Sequence, residues 1–337
     1  MQMIPIPLFR AAHLLPYLNF LRHTGASVDH MLRATRLPVY IDNQPNLYLP
    51  LANAQIFLTQ IARNEAIDNL GLRAASELDI SDLSPEFTTV LNTAPTLYSA
   101  LQAFCKLGHI EDDQVKWWIT SDADTINICS RFDFSCDMQA LQFSEWNQNM
   151  VVLAIIRAFA ESTWQPDEMA FKSSLAPGSY AKENFPNTHI LTGQQSAWVS
   201  LPRSLLSLPP GKQAMVTQSP SALTISSDKP MDFPASLKLM LQAYIGDGYP
   251  TIHLAAELSG TSMRTLQRRL KQFGLSYSEL VQHAQFDYAV RLLHEPDIRT
   301  IDIAYAVGYT DPSNFARAFR RIAGVSPNEY RQLHQFN

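Results

Sequence analysis

Residues 264–274 read RTLQRRLKQFG, and Arg264, Arg268, Arg269 and Lys271 place four cations within eight residues. Leu266, Leu270 and Phe273 recur among them at spacings of four and three, the pattern of an amphipathic helix with an apolar stripe turned to a core. Such a helix directs Arg264, Gln267, Arg268 and Lys271 outward or onto its flanks. A guanidinium can bind guanine bidentately through O6 and N7, a side-chain amide can pair with adenine, and any of these cations can hold a phosphate. A second stretch, DPSNFARAFRRIAG from Asp311, has the same character. Phe315, Phe319 and Ile322 form its apolar side, which leaves Ser313, Asn314, Arg317, Arg320 and Arg321 outside.

The two stretches are copies of one unit. LAAELSGTSMRTLQRRLKQFG, from Leu254, lies over IAYAVGYTDPSNFARAFRRIAG, from Ile303, at an offset of 49 that slips to 50 at Gly274 and Gly324. Leu254 and Ile303, Ala255 and Ala304, Leu258 and Val307, Leu266 and Phe315, and Leu270 and Phe319 coincide. Each copy predicts a short helix, a break at Gly260 or Gly308, and a second helix with a start signal: Ser262 as cap in one, Asp311 followed by Pro312 in the other. Two helices joined by a tight glycine-bearing turn form a helix-turn-helix unit, whose second helix is the usual reader of DNA. A single basic helix face is ordinarily just solvated; two at matching positions point to DNA.

The rest of the chain has to position these faces. Helices are expected over 236–246, 251–258, 262–273, 277–294, 300–307, 311–323 and 326–334, an all-α domain spanning 235–337. VTQSPSALTISSDKPMDFP, residues 216–234, reads as a solvated linker. Residues 1–215 mix patterns: helices near 8–23, 50–63, 96–108 and 138–161, a hairpin of 115–119 with 125–132, and short strands at 169–172 and 197–201. The fold class expected is therefore an α+β N-terminal domain followed by an all-α domain with two helix-turn-helix units. From Ser236 onward there are 11 Lys plus Arg against 9 Asp plus Glu, net +2, whereas residues 1–235 carry 15 against 22, net −7. The basic excess lies where the basic faces lie.

Residues 236–334 resemble the DNA-binding domain of the AraC/XylS family of transcription regulators, most closely through IDIAYAVGYTDPSNFARAFRRIAGVSPNEYR, and SMRTLQRRL is similar to the subgroup with an arabinose-binding-type, effector-sensing N-terminal domain. The resemblance implies two helix-turn-helix units joined by a long helix, here 277–294, reading adjacent major grooves. It assigns base-edge contacts to Ser262, Arg264, Gln267, Arg268, Ser313, Asn314 and Arg317, and phosphate contacts to Arg269, Lys271, Arg320 and Arg321. It also implies a regulator, an activator that engages RNA polymerase, controlled by a small-molecule effector in residues 1–215 and acting as a homodimer in the cytoplasm. One departure is HAQFDYAV at 283–290, where many relatives carry an arginine and this chain has Gln285 and Phe286, so no ion pair is assigned there.

Other chemistry is not expected. With 337 residues, 46% hydrophobic and 17% charged, the chain reads as a globular protein of two domains. Its longest apolar run, MVVLAIIRAFA, is too short to span a bilayer, and the N-terminus does not read as a signal peptide. Cys105, Cys129 and Cys136 form no C-x-x-C pair, and no H-x-x-x-H or H-E-x-x-H spacing occurs, so no metal or other cofactor is expected. There is no G-x-S-x-G elbow and no phosphate-binding glycine loop, so the chain is not read as an enzyme. His109, Glu111, Asp112 and Asp113 read as a solvated turn before the hairpin rather than a cation site, and of Trp117 and Trp118 at least one should be core. The stripe Met150, Leu153, Ile156 and Phe159 is likewise expected to be core.

Overall fold

The computed structural model describes residues 5–76, 78–211, 232–248 and 250–334, so most of the span read as linker, 216–231, lies outside the described residues. The chain divides into two compact units; residues 5–6 and 47–50 group with the C-terminal helices, and Ile6 N–H donates to Ser236 Oγ at 3.0 Å.

The N-terminal unit starts with strand β1 (Leu8–Arg10) and helices α1 (Leu15–His23) and α2 (Val28–Ala34), then, after strand β2 (Tyr48–Pro50) of the other unit, continues through α3 (Leu51–Asn64), α4 (Leu70–Ala75), α5 (Pro85–Thr93) and α6 (Leu97–Leu107). The expected first helix, 8–23, is thus an extended segment and a short 3-10 turn before α1, which begins with Pro16 in its first turn, where a missing N–H costs nothing. Strands β3 (Val115–Ser121) and β4 (Thr125–Phe132) form the expected antiparallel hairpin, closed by Asp122 N–H on Thr125 O at 3.0 Å. Helix α7 (Met138–Phe159), strand β5 (Glu168–Ala170), α8 (Ser179–Asn184), β6 (His189–Leu191) and β7 (Ala197–Pro202) complete it. The sheet order is β3-β4-β7-β5-β6, with only β5 and β6 parallel.

Helix α7 organises this core. Asp137 caps it by accepting from Ala140 N–H at 2.8 Å, and Met150, Leu153, Ile156 and Phe159 are all buried in one cluster with Ile126, Ile128, Val199 and Leu201 from the sheet. A fully buried side chain of this size contributes about 1.5–3 kcal/mol, so the stripe is core.

The C-terminal unit is helical from α9 (Phe233–Gln242), which starts inside the tail of the expected linker because Asp232 caps it with Pro234 in its first turn. It continues with α10 (Ile252–Leu258), α11 (Met263–Gln272), α12 (Tyr277–Leu293), α13 (Thr300–Ala306), α14 (Pro312–Ala323) and α15 (Pro327–His334). The sequence-expected helices match these to within a few residues, and among the described residues no helix is long and apolar enough to cross a membrane. Ala284, Tyr288, Ala289 and Leu293 of α12 join Ile303, Ala304, Val307, Phe315 and Phe319 in one buried cluster, so the long helix is the spine of the second unit. Two expectations fail here: Phe273 is 42% exposed and Ile322 is 37% exposed, not buried. Both lie at or next to the last turn, beyond the neighbouring elements that cover Leu270 and Phe319.

Candidate nucleic-acid interface

Helices α11 and α14 are each set by their own start and stop. Ser262 Oγ accepts from Thr265 N–H at 3.2 Å, and Asp311 accepts from Ser313 N–H at 2.8 Å, so orphan amides at the N-termini of α11 and α14 are satisfied by short side chains. The turn ahead of α14 needs Gly308: its φ of +84° suits glycine, and a Cβ there would stand 3.4 Å from Ile245 O. Gln285 secures that turn from the spine. It is buried, and its Nε2 donates to Val307 O at 2.9 Å, which satisfies a carbonyl at the C-terminal end of α13. The neighbouring Phe286 ring packs 4.8 Å from Phe319. The departure noticed in the sequence is therefore a neutral structural amide beside an aromatic contact.

With Leu266 and Leu270 buried beneath α11, the side chains of Ser262, Arg264, Gln267, Arg268 and Lys271 are exposed. With Phe315 and Phe319 buried beneath α14, Ser313, Asn314, Arg317, Arg320 and Arg321 are exposed. The cations then sort by what already holds them. Lys238 pairs with Asp287 at 2.6 Å, Arg299 with Asp302 at 2.7 Å, and Arg331 donates to Leu293 O and Ile298 O, so these serve the fold. Arg291 donates to Gln242 and lies over the Tyr288 ring, and burial pulls its guanidinium below the usual range. By contrast, Arg264, Arg268 and Lys271 have no hydrogen bond or ion pair to protein among the described residues. Arg317 Nη2 donates to Asn314 Oδ1 within the exposed face, and Arg321 donates to Gln282 Oε1 at 2.7 Å. Arg320 lies near enough to Glu329 to help the Ser326 amide and hydroxyl hold that carboxyl below its ordinary value. Arg269 is half-buried, its guanidinium 5.0 Å from the Phe233 ring centre, an aromatic contact that leaves only part of its donor fork outward.

In the N-terminal unit the turn at 109–113 is only partly solvated: His109 is exposed, Asp112 and Asp113 are half-buried and Glu111 is buried. Glu111 is 4% exposed and accepts from Arg10 Nη1 at 2.6 Å, His13 Nε2 at 2.9 Å and Ser84 N–H at 2.7 Å. Burial alone pushes a carboxyl up, yet the Arg10 charge and the His13 and Ser84 hydrogen bonds outweigh it and bring Glu111 down to about 2. Next to it, burial pushes Asp112 up to about 8, against the Gln114 amide and with help from Asp113. Among the described residues no group of His, Cys, Asp and Glu is arranged to hold a metal ion. Trp117 faces a cavity of about 70 Å³ and lies 4.4 Å from Phe104, in a place open because position 108 is glycine, where a Cβ would stand 2.5 Å from the indole. Trp118 is on the other face of the strand, half-buried.

A pH test follows from Asp112. Its carboxyl sits near 3.8 in an unfolded chain and about 8 when folded, so the folded state binds the extra proton between those values and stability falls as pH rises through that window. Asp112→Asn keeps an acceptor for Gln114 N–H, 2.8 Å away, and cannot ionise. The variant should melt higher than wild type by a margin that grows by at least about 3 °C between pH 5 and pH 8. A difference independent of pH would contradict the assignment.

Residues that sequence reasoning missed are Arg10, His13, Ser84, Asn147, Gln148 and Gln285. A signal existed for one group: EWNQNM, at 145–150, sets Glu145, Asn147, Gln148 and Asn149 in an otherwise apolar helix, and Glu145, Gln148 and Asn149 are buried.

Residues 255–333 match a protein family described as a helix-turn-helix domain. Along 96% of its length the chain is 23% identical to the HTH-type transcriptional regulator VirS of Mycobacterium tuberculosis, over 96% of that protein. It is 31% identical to the ornithine utilization regulator of Pseudomonas aeruginosa over 140 residues, 40% of this chain, and spans about two fifths (41%) of that relative. Among solved structures, transcriptional regulator CdpR from Pseudomonas aeruginosa is similar at 21% identity, with a TM-score of 0.40 over 90% of this chain and 96% of that one.

Proposed function

We propose that this chain, a transcriptional regulator with an AraC-type helix-turn-helix DNA-binding domain, reads adjacent major grooves with α11 and α14 and is controlled by a small molecule bound in its N-terminal unit. The observation that carries the first part is the repeated exposed face: two capped helices, each with its apolar side buried and its hydrogen-bonding cations outward. Base-edge contacts fall to Ser262, Arg264, Gln267 and Arg268 and to Ser313, Asn314 and Arg317. Lys271, Arg320, Arg321 and the accessible part of Arg269 hold phosphates. The protein works in the cytoplasm as a homodimer, which multiplies DNA contacts without new chemistry, and activates transcription through RNA polymerase.

Paired substitutions test the roles. Arg317→Ala should weaken binding to the specific site by about 1–3 kcal/mol and relax base preference, with random DNA little affected. Arg320→Ala should weaken specific and random DNA alike and lower the salt dependence of binding by about one phosphate contact. Equal losses on both DNAs for both variants would defeat this division. For the second part, thermal melting against metabolites should yield one that raises the midpoint by mass action and shifts DNA affinity. A protein that answers to none is a constitutive regulator.

A further inference from the structure

We infer that the cavity of the N-terminal unit is the effector site, and that it takes an uncharged, single-ring molecule carrying an amide-like group whose carbonyl meets the side-chain amides of the wall. The inference rests on the reading of the chain as an effector-controlled regulator and gives that effector a place and a chemistry.

Three buried side-chain atoms without a protein hydrogen-bond partner, His13 Nδ1, Asn147 Nδ2 and Gln148 Nε2, all belong to residues lining this one cavity. A buried polar group left unpaired costs about 1–3 kcal/mol, so such a concentration in one place is the mark of a site made for something polar. Gln148 is 5% exposed, and its Oε1 is already engaged by Ser130 Oγ at 2.6 Å, which orients the amide and leaves its N–H donors for the cavity. Asn147 supplies a second donor of the same kind. At His13 Nε2 is taken by Glu111 at 2.9 Å, which leaves Nδ1 as the ring nitrogen for the cavity. The two side-chain amide donors match a carbonyl oxygen, and the free ring nitrogen of His13 adds a further polar partner beside them.

Charge excludes the alternatives. No Lys or Arg lines the cavity; Arg10 is spent on Glu111 and on Asn46. An anion would enter beside the ionised Glu111 without a cation to meet it. A cation would confront amide hydrogens, and burial keeps the proton on the nearby Asp112. Much of the remaining wall is apolar, with Phe9, Phe104, Trp117 and Phe143 offering ring faces and edges. A volume of about 70 Å³ is room for several waters, or for one small ring.

The test uses the full-length protein with four probes of one shape: benzamide, benzoate, benzylamine and ethylbenzene, followed by calorimetry and thermal melting. Benzamide should bind at least about tenfold more tightly than each of the others. Asn147→Leu should lose that preference while melting no lower than wild type without ligand, because an unpaired buried donor has been replaced by an apolar group; Gln148→Leu should lose it too but melt lower, because it strands the buried Ser130 hydroxyl. Preference for benzoate or benzylamine, absence of benzamide binding at millimolar concentration, or a crystal structure in which waters alone occupy the amides of Asn147 and Gln148 would overturn the inference. Selective benzamide binding that leaves DNA affinity unchanged would uphold the cavity's chemistry and its place while overturning the regulatory reading. DNA affinity that responds to a different molecule, in a protein whose cavity variants respond as well as wild type, would do the reverse.

Discussion

Phe319→Ala should unfold the second helix-turn-helix unit under conditions where the native chain is stable, and with it remove sequence-specific DNA binding. Phe319 is 2% exposed and its ring packs against Phe286 at 4.8 Å, Tyr330 at 5.5 Å and Phe315 at 5.8 Å, joining α12, α14 and α15. Deleting a buried phenyl group costs about 3–5 kcal/mol, a large part of the stability of a domain this small. The neighbours are themselves large and anchored, Gln285 holding the adjacent turn, so the site has little room to collapse around the void. Denaturant unfolding by circular dichroism, together with binding to specific DNA, checks this. Ile322→Ala is the matched control: at 37% exposure it should cost well under half as much. Equal losses would place Ile322 in the core, where its periodicity suggested it belonged.

Glu111→Ala should be as damaging to the N-terminal unit. It leaves the Arg10 guanidinium, which is 3% exposed, without its carboxylate, and breaking a buried ion pair from one side costs about 3–5 kcal/mol. It also strands Ser84 N–H, which starts the capped helix α5. The double variant Arg10→Met with Glu111→Leu should recover most of the loss, since removing both charges leaves no uncompensated ion. The pH dependence has a definite sign. A carboxyl ordinarily near 4.5 that stands at about 2 when folded contributes stability above its unfolded value, and that contribution disappears as pH falls from about 4.5 towards 2. The deficit of the alanine variant should therefore narrow over that window, its acid limb being the shallower of the two. A wild-type-like acid limb would show that the pair contributes nothing net.

The two halves of the chain differ in what their sequences disclose, and the reason is the distance over which interactions act. In the C-terminal half each helix begins and ends with local chemistry: Ser262 or Asp311 on a nearby amide, Gly274 and Gly324 at positive φ after the last turn. Such signals are contained within a few residues, so helix positions and outward faces were legible. Periodicity could not tell where a partner stops covering a helix, hence Phe273 and Ile322. In the N-terminal half the determining contacts join residues far apart: Arg10 and His13 reach Glu111 across 101 and 98 positions, and Ser84 across 27. From its neighbours alone Glu111 sits in a charged turn; only the fold supplies the cation and amides that bury it. The same holds for the cavity, whose polar lining comes from α3, α7 and the segment around His13.

On the proposed reading, α11 and α14 occupy successive major grooves on one face of the duplex. Methylation interference on a site selected from random DNA by the full-length protein tests it most directly, because guanine N7 lies in the major groove, where a guanidinium would bind. Two clusters of interfering guanines centred about 10 base pairs apart are expected, one from each helix, with the α14 cluster vanishing in Arg317→Ala. A single cluster, or two separated by half a helical turn and so on opposite faces, would contradict it.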